Sequence, residues 1–520
     1  MTPTPWAGVA RSGYAVMAAC LMLSACQGGR APDDLSLEAR SSAVLPADCG
    51  PGSEPETGLQ GQVPRVDRDS GRNQQAYSCN LALVGQYQGQ GSSVVSASSG
   101  DCAFLSSGPA AALLSPTPGM QVVDVSDPTQ PEFVGSYASP GMLLGTWESL
   151  KVNEPRGLVG GVAVGVLSAP AFFDVYDINE DCTQPLHRNG LLGTSLELPA
   201  NVLGHEGNWS PDGRTYWSTG TIAGSITAID VENPDQPRLL YTGLRGFPAN
   251  HGVEFNADGS RMYLATCLPG GVTILDVSAI QNRDPVPRVQ RVSELTWNPR
   301  SCGQHALPVF FDGVPHLIVA DEFASEGVRI IDIADERNPV VVQHLQLEIQ
   351  RPEHAALRVD DTASNGAFSY EAHYCNVDRS DNPTALACGY FNSGIRVFDI
   401  RDPRSPREIA YFNPPAQPDR AAQLYGSLHA YGGGVLPMVS DQNASNTDPA
   451  NLGPYLFRYI TAIPELLALG PNAIHGEMSA DWCSSPPRFV GEQLWVSCMD
   501  NGFLVLEFRN GVYPLENGAP

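Results

Sequence analysis

The chain has 520 residues and carries 56 acidic against 30 basic side chains, which gives a formal net charge of −26. So acidic a surface is repelled by nucleic acid and by anionic lipid head groups, and we therefore exclude nucleic acid as a partner. With 42% hydrophobic residues, the chain has enough apolar side chains to build a large core.

The first 26 residues have the features of an export signal. Arg11 supplies a positive start, and Tyr14 to Leu23 is an apolar stretch too short to cross a bilayer as a helix. The sequence Leu-Ser-Ala-Cys that ends at Cys26 resembles the lipobox of bacterial lipoproteins. This resemblance implies lipidation of Cys26 and, because Gln27 is not aspartate, an address at the outer membrane. We expect contact with the membrane through the lipid anchor, on the periplasmic side or at the cell surface.

Residues 27–78 follow this signal and are rich in glycine, proline, serine and glutamine, with little apolar periodicity. Such a composition predicts a flexible tether. The folded part of the chain is therefore expected to span residues 79–516.

Ten cysteines remain when Cys20 and Cys26 are set aside, and export places them in an oxidising compartment that favours disulfides. Two pairs are close in sequence and flanked by strand-like segments, so each can join neighbouring strands: Cys375 with Cys388, and Cys483 with Cys498. The other cysteines are compatible with Cys79–Cys102 and Cys267–Cys302, which leaves Cys49 with Cys182. No Cys-x-x-Cys motif occurs, which argues against a zinc knuckle or a thioredoxin site.

Seven short runs of β-forming residues each end in an acidic residue, and this repeat predicts the architecture. The unit that starts at His251 divides into four strands, with a hairpin turn at Asp258-Gly259 and another at Pro269-Gly270-Gly271. Four antiparallel strands of this size are typical of a propeller blade, so we predict an all-β, seven-bladed β-propeller. The repeat acids are Asp124, Asp177, Asp230, Asp276, Asp332, Asp399 and Glu507.

The ends of the chain indicate how the ring closes. Too few residues follow Glu507 for a regular fourth strand in the last blade. The segment Asn80 to Tyr87, before the first blade, is similar to the fourth strands of other repeats. We predict that it completes the C-terminal blade and leaves no open sheet edge. The long interval before Glu507 contains an insertion at about residues 415–470.

These motifs resemble the LVIVD-repeat β-propeller proteins, which are exported bacterial and archaeal proteins mostly without an assigned biochemistry. The resemblance lies in the Ile/Val-x-Val-x-Asp-Val run, the Asp-Pro-x-x-Pro loop and the Val-Gly-x-Tyr strand, and it covers about residues 80 to 515. It is strongest near Asp124, Asp230, Asp332 and Asp399. For these aspartates we predict a structural role, in which the carboxylate accepts hydrogen bonds from backbone N–H groups of the next loop.

Five of the ten histidines lie at a nearly constant distance before the acid of their repeat. The distance is 25 residues for His205 and His251, 26 for His373, 27 for His305 and 32 for His475. Each of them lies just before or at the start of the innermost strand, which lines the central channel. The pattern predicts imidazoles at one rim of the ring. The first two blades have no histidine at the matching place, so the ring of imidazoles is incomplete.

Two explanations for this register stay open at the level of sequence. In the first, each histidine forms hydrogen bonds within or between blades. In the second, the imidazoles bind copper, zinc or iron, for which neutral imidazole is a good ligand. The segment GHEGNWSPDGRTYWS, from Gly204, is similar to turns in propellers of the selenium-binding protein and methanethiol oxidase family. That similarity implies a copper requirement.

No nucleophile elbow, zinc-protease motif, P-loop or dinucleotide fingerprint occurs in the sequence. Fold alone does not determine function. Our first hypothesis is a non-enzymatic binding or interaction module at the cell envelope, with an envelope or extracellular protein or a small molecule as its ligand. The alternative is a metal-dependent oxidoreductase of the copper type, with a histidine site at the channel mouth. The sequence favours the non-enzymatic hypothesis without deciding between them.

Overall fold

A computed structural model describes residues 43–107, 115–143, 145–163, 171–189, 199–201, 205–220, 224–245, 249–362, 368–429 and 478–516. Within these ranges the chain forms thirty β-strands in seven antiparallel sheets. The sheets are the blades of a β-propeller, which confirms the predicted fold class and blade number.

Two strands precede the first complete blade: β1 (Tyr77–Cys79) and β2 (Leu81–Tyr87). Blade 1 contains β3 (Ala97–Ser99), β4 (Cys102–Leu105), β5 (Met120–Asp124) and β6 (Glu132–Tyr137). Blade 2 contains β7 (Lys151–Asn153), β8 (Leu158–Val162), β9 (Ala171–Asp177) and β10 (Leu186–His187), and β11 (Pro199–Asn201) also pairs with β9. Blade 3 contains β12 (Glu206–Trp209), β13 (Thr215–Gly220), β14 (Ser225–Asp230) and β15 (Arg238–Leu244).

Blade 4 contains β16 (Ala249–Phe255), β17 (Arg261–Cys267), β18 (Gly270–Asp276) and β19 (Gln290–Asn298). Blade 5 contains β20 (Gly303–Phe311), β21 (Val314–Asp321), β22 (Gly327–Asp332) and β23 (Val340–Leu345). Blade 6 contains β24 (Ala372–Val377), β25 (Ala385–Tyr390), β26 (Ile395–Asp399) and β27 (Arg407–Asn413), with β1 added beside β27. Blade 7 contains β28 (Arg488–Val490), β29 (Gln493–Cys498) and β30 (Gly502–Phe508), followed by β2.

The apolar core lies between neighbouring blades. In blade 4 the inner strands are rich in buried β-branched and aromatic residues, whereas the outer strand β19 alternates between half-buried and exposed positions. Ile274 of blade 4 packs against Leu317 and Ile331 of blade 5 in one of these clusters. Each blade therefore depends on its neighbours to bury its faces.

The repeat aspartates have the structural role that was predicted for them. Asp124 Oδ1 accepts a hydrogen bond from Ser126 N at 2.8 Å. The other five accept one from the backbone N–H group two residues later, at 2.8 to 3.1 Å. This Asx turn ends the third strand of each blade and begins the loop to the fourth. Glu507 instead pairs with the side chain of Arg509.

The ring closes as predicted, because β2 pairs with β30. Leu81 is opposite Phe508, and Tyr87 is opposite Phe503. A strand from near the start of the chain thus supplies the fourth strand of the last blade, and β30 has no free edge.

The prediction of a flexible tether over residues 27–78 is wrong for the described part, residues 43–78. This segment packs on blades 5 and 6: Val44 and Val63 are buried, and β1 pairs with β27. The buried guanidinium of Arg396 meets Glu56 Oε2 at 2.7 Å and Glu408 Oε1 at 3.0 Å. These contacts fix the segment in spite of its polar composition, because a buried arginine requires carboxylate partners.

Five disulfides join the ten cysteines of the described part. Cys375–Cys388, Cys483–Cys498 and Cys267–Cys302 are present as expected. The other expected pairings are wrong. The structure joins Cys49 to Cys79 and Cys102 to Cys182. The physical reason is the packed N-terminal segment, which brings Cys49 within 4.9 Å of Cys79, measured between Cα atoms.

Helices are short and lie in connections between strands. They are α1 (Arg65–Ser70), α2 (Pro140–Leu143), α3 (Ser278–Gln281) and α4 (Ala355–Thr362). Single 3₁₀ turns occur at Arg72–Gln74, Glu154–Arg156, Glu348–Gln350, Pro352–His354 and Ala421–Gln423. Among the described residues, no helix has the length and apolarity needed to cross a membrane. The signal segment with Cys26 lies outside the described residues, as does most of the expected insertion at 415–470.

Candidate functional site

The innermost strands of blades 4, 5 and 6 each contain a β-bulge at the same place. Two residues are skipped in the pairing with the second strand: His251-Gly252 in β16, Gln304-His305 in β20 and His373-Tyr374 in β24. A bulge re-aims the side chains of its strand. In blades 4 and 6 the first skipped residue is a histidine, and both imidazoles take part in a polar cluster.

Two imidazoles and one carboxylate meet in the first half of this cluster, which we call site A (Glu148, His205 and His251). Nε2 of His205 is 3.1 Å from Nε2 of His251. Oε2 of Glu148 is 3.0 Å from Nε2 of His205 and 3.6 Å from Nε2 of His251. The side chain of His205 is 16% exposed, whereas those of Glu148 and His251 are almost completely buried.

The second half of the cluster, site B, contains Glu148, Glu322 and His373. Nε2 of His373 lies 3.0 Å from Oε1 of Glu148 and 3.8 Å from Oε1 of Glu322. The other oxygen of Glu322, Oε2, is 3.2 Å from Nε2 of His251. Sites A and B therefore share Glu148, and Glu322 extends from one to the other.

Backbone carbonyls fix the orientation of two of the imidazoles. Nδ1 of His251 is 3.2 Å from the carbonyl oxygen of Gln304, and Nδ1 of His373 is 2.6 Å from that of Ser484. A carbonyl only accepts, so each Nδ1 carries a proton, and a ring that is neutral therefore presents the lone pair of Nε2 to the cluster. This is the arrangement that supports histidine as a metal ligand.

The electrostatics of the cluster favour a cation at its centre. Burial alone lowers the pKa of His251, but the carboxylates of Glu148 and Glu322 raise it to about 10. Burial opposes ionisation of Glu148, yet the imidazoles of His205 and His251 hold its pKa well below the ordinary value. Two carboxylates withdrawn from water require positive charge, which either protonated imidazole or a metal ion can supply.

A second polar layer adjoins site A. Tyr374 donates a hydrogen bond to Glu206 Oε2 at 2.6 Å, and Nζ of Lys151 lies 3.6 Å from Glu206 Oε1 and 4.2 Å from the centre of the Tyr374 ring. Lys151 is the single lysine of the sequence. Burial raises the pKa of Glu206, and it raises that of Glu254 to about 7. Two carboxyl groups with raised pKa values therefore lie near the candidate ligands.

Three of the five histidines in the register come together, and one does not. His205, His251 and His373 converge, whereas Nε2 of His305 contacts the carbonyl oxygen of Cys375 at 3.1 Å. His305 is the second residue of its bulge, and its ring stacks on Tyr374 instead. Burial lowers the pKa of His305 to about 3, which keeps it neutral. His475 lies outside the described residues.

The two carboxylates of the cluster were missed at the level of sequence. Glu148 lies 29 residues before Asp177, within the range of 25 to 32 residues that the histidines span. The register consists of histidines alone, so it does not mark a glutamate. Glu322 gave no such signal. It directly follows β21, the second strand of blade 5, and only the ring places it beside His251 and His373.

Buried polar atoms without a hydrogen-bond partner also fit a bound group. Among the described residues, these include both amide atoms of Gln304. Gln304 is fully buried and is the first skipped residue of its bulge, the place that His251 and His373 hold in their blades. Such orphaned atoms are costly in a folded protein and are often explained by a water or ion at a functional site.

Two other groups of candidate ligands have partners within the chain. Cys267 and Cys302 lie near His251 but are joined in a disulfide. His429 is buried, with Nδ1 at 2.9 Å from Asp500 Oδ2. Nearby Asp481 accepts hydrogen bonds from the backbone of Asp500 and Asn501, which accounts for its carboxylate.

Comparison with known proteins identifies one repeat family in the sequence. The sequence model of the LVIVD repeat matches residues 117–139. No curated protein matches the chain. A Pseudomonas aeruginosa periplasmic gluconolactonase has 13% identity over 65% of this chain and 96% of its own, with a TM-score of 0.42. A protein from Lactobacillus plantarum has 11% identity over 62% of this chain and 87% of its own, with a TM-score of 0.43. The similarity to selenium-binding propellers gains no support from these comparisons.

Proposed function

We propose, from the premise that the chain is a seven-bladed LVIVD-repeat β-propeller, that it binds a divalent transition-metal ion at site A and acts as a metal-dependent oxidoreductase. Of the two hypotheses that the sequence left open, the buried cluster supports the metal-dependent one. Buried carboxylates and imidazoles with shifted pKa values that converge on one point are typical of functional sites, and this convergence supports the proposal.

The spacing of the ligand atoms in site A carries this proposal. The circle through Nε2 of His205, Nε2 of His251 and Oε2 of Glu148 has a radius of about 1.9 Å, close to the 2.0–2.1 Å of a zinc–nitrogen bond. His205, His251 and Glu148 would therefore hold an ion without movement of the chain. Three protein ligands leave coordination positions open, as catalytic metal sites do.

The chemistry of the ligands narrows the choice of metal. Imidazole and carboxylate ligands suit Zn(II), Fe(II) and Cu(II), whereas Cu(I) prefers thiolates and thioethers. Two histidines and one carboxylate form the ligand set of non-haem iron(II) oxygenases, in which the open positions take substrate and oxygen. We therefore propose iron as the native metal, with copper and zinc as the competing assignments.

The residues around site A have complementary tasks in this proposal. His205 is the ligand through which site A meets solvent, so substrate approaches from its side of the ring. Trp147 lies beside it, with its ring 6.0 Å from that of His205, and offers an apolar surface for a substrate. Glu206 and Tyr374, which share a hydrogen bond, are placed to move a proton to or from a bound group.

Location at the cell envelope is a separate part of the proposal. The lipobox ending at Cys26 supports an outer-membrane lipoprotein, and the five disulfides suit an oxidising compartment. A Cys26→Ser variant should leave the membrane fraction and appear in the soluble fraction of the envelope. Retention of that variant in the membrane fraction would contradict the lipid anchor.

Metal analysis tests the central proposal. Protein purified from its native envelope should contain at least one transition-metal ion per chain, and a His205→Ala variant should lose the ion held at site A. His305→Asn is the matched control, because His305 belongs to the same register but lies outside the cluster. It should keep the metal content of the wild type. Wild-type protein without any bound transition metal would overturn the proposal.

A further inference from the structure

We infer that the cluster holds two metal ions, one in site A and one in site B, bridged by the carboxylate of Glu148. This inference rests on the proposed function and deepens it, because it assigns a second ion and a bridging ligand to the same centre. The observation behind it is that this carboxylate faces imidazoles with both of its oxygens.

Glu148 has the clearest bridging geometry. Its Oε2 lies 3.0 Å from Nε2 of His205, while its Oε1 lies 3.0 Å from Nε2 of His373. A carboxylate that chelates one ion directs both oxygens to the same set of partners. The oxygens of Glu148 are instead divided between imidazoles from blade 3 and blade 6, as expected of a ligand between two ions.

Glu322 repeats this division on the other side of the cluster. Its Oε2 is 3.2 Å from Nε2 of His251, and its Oε1 is 3.8 Å from Nε2 of His373. Glu322 is nevertheless a donor of site B, because its donor atom groups with Glu148 and His373 and not with the imidazoles of site A. Both carboxylates are almost completely buried, so their oxygens have little water to turn towards.

A single ion does not account for the whole set of donor atoms. Ligand atoms bonded to one ion at about 2.1 Å are at most about 4.2 Å apart. The donors fall into two groups that share Glu148, and no group of donor atoms within 4.8 Å of one another contains all five residues, so some of the donors are too far apart for one ion. His205 and His251 belong to the first group, and Glu322 and His373 to the second.

A separate backbone carbonyl group orients an imidazole in each of the two sites. The carbonyl oxygen of Gln304 orients His251 for site A, and that of Ser484, in the segment before β28, orients His373 for site B. Site B with one ion has one nitrogen and two oxygen ligands, which leaves positions open there as well. Ions in such pairs are about 3.5–4 Å apart, a separation that suits a bridging hydroxide or two oxygens of one small oxyanion.

Titration of the full chain with Mn²⁺ after treatment with a chelator tests the inference. Two equivalents should bind to the wild type, and its electron paramagnetic resonance spectrum should show two magnetically coupled ions. A His373→Ala variant should bind one equivalent and give the spectrum of an isolated Mn²⁺ ion. A His305→Asn variant should behave as the wild type.

The outcomes separate the two levels of the proposal. One equivalent in the wild type, lost in His205→Ala but kept in His373→Ala, would leave the proposed function standing and overturn the second ion. Two uncoupled equivalents would overturn the bridge. If the wild type binds no Mn²⁺ and contains no native metal, both the second ion and the proposed function are overturned. If circular dichroism shows that His373→Ala is unfolded, the smaller change His373→Asn provides the same comparison.

Discussion

A shift of one residue decides whether a histidine in this ring is a candidate ligand. His251 and His373 are the first skipped residues of their bulges, and both reach the carboxylates. His305 is the second residue of an otherwise equivalent bulge, and it stacks on Tyr374. Distance along the chain identified all three, but only the pairing of the strands separates the ligands from the packed imidazole.

The buried amide of Gln304 leads to a prediction about stability and metal release. When no ligand is bound, its amide is buried without a hydrogen-bond partner, which costs about 1–3 kcal/mol. In protein treated with a chelator, Gln304→Met should therefore raise the free energy of unfolding by about 1 kcal/mol. If the amide contacts the bound group, the same variant should release metal several-fold faster. Urea unfolding in the presence of chelator and metal-release kinetics are the measurements. A loss of stability in the metal-free variant would contradict the expectation.

We expect the repeat aspartates, of which Asp230 is one, to make the stability of the fold depend on pH. Burial alone raises the pKa of Asp230, but the N–H group of Glu232 and the guanidinium groups of Arg238 and Arg283 bring it below the ordinary value of 3.8. A carboxylate whose pKa is lower in the folded state stabilises the fold above pH 3.8. That contribution is lost as the pH falls through the folded pKa.

Asp230→Asn should therefore lower the free energy of unfolding at pH 7 by about 1–3 kcal/mol. The difference from the wild type should shrink as the pH falls below 3.8, because the wild type then loses the same contribution. Urea unfolding at pH 7 and pH 3 measures both values. The exposed Asp419→Asn is the control and should match the wild type at each pH. An equal difference at both pH values would contradict the role of the carboxylate.

At the scale of the element, two strands with the same motif differ in how closely neighbouring atoms approach their glycine. Val-Gly-x-Tyr occurs in β2 at Gly85 and in β6 at Gly135. A Cβ atom on Gly85 would lie 2.0 Å from the carbonyl oxygen of Pro128 in the neighbouring blade. A Cβ atom on Gly135 would meet its nearest neighbour, the ring of Tyr137, at 3.5 Å, an ordinary contact. Of these two glycines, only Gly85, in the closing strand, is thus required by packing.

Gly85→Ala should lower the free energy of unfolding by about 1–3 kcal/mol, because backbone atoms of the adjacent blade must move. Gly135→Ala, the matched control, should change it by no more than about 0.5 kcal/mol. Thermal or chemical unfolding of the two variants measures the contrast. Equal effects would show that the approach of Pro128 to β2 does not limit the packing of the last blade.

At the scale of the whole molecule, the N-terminal part of the chain holds the ring together. β2 closes blade 7, β1 extends blade 6, and the segment before them is tied down by Cys49–Cys79 and by the ion pair of Arg396 with Glu56. The candidate site depends on this closure, because its ligands come from distant parts of the sequence. Glu148 and His373, which are 3.0 Å apart, are separated by 225 residues.

A chain that begins after residue 88 should lose the closed ring. Without β2, the edge of β30 is left unpaired, and an exposed strand edge promotes association between molecules. We expect oligomers or aggregates in size-exclusion chromatography with light scattering, together with loss of bound metal. The full chain under the same conditions is the control. A monomeric truncated chain with the melting temperature of the full chain would contradict the role of β2 in closure.

Sequence alone determined the parts of this protein that depend on local patterns. Asp124 and its equivalents end strands because a carboxylate two residues before an N–H group forms an Asx turn, whatever the rest of the fold does. The same patterns identified seven blades and the closing strand, since period-2 alternation and turn residues specify strands directly.

Tertiary structure decided everything that depends on residues distant in sequence. The polar composition of residues 43–78 predicts a tether, but the burial of Arg396 beside Glu56 makes this segment part of the ring. The register marked His205, His251 and His373, while Glu148 and Glu322 became partners only when the ring brought blades 2 to 6 around one axis. Burial in that shared space, rather than any local motif, makes paired carboxylates and imidazoles a candidate metal centre.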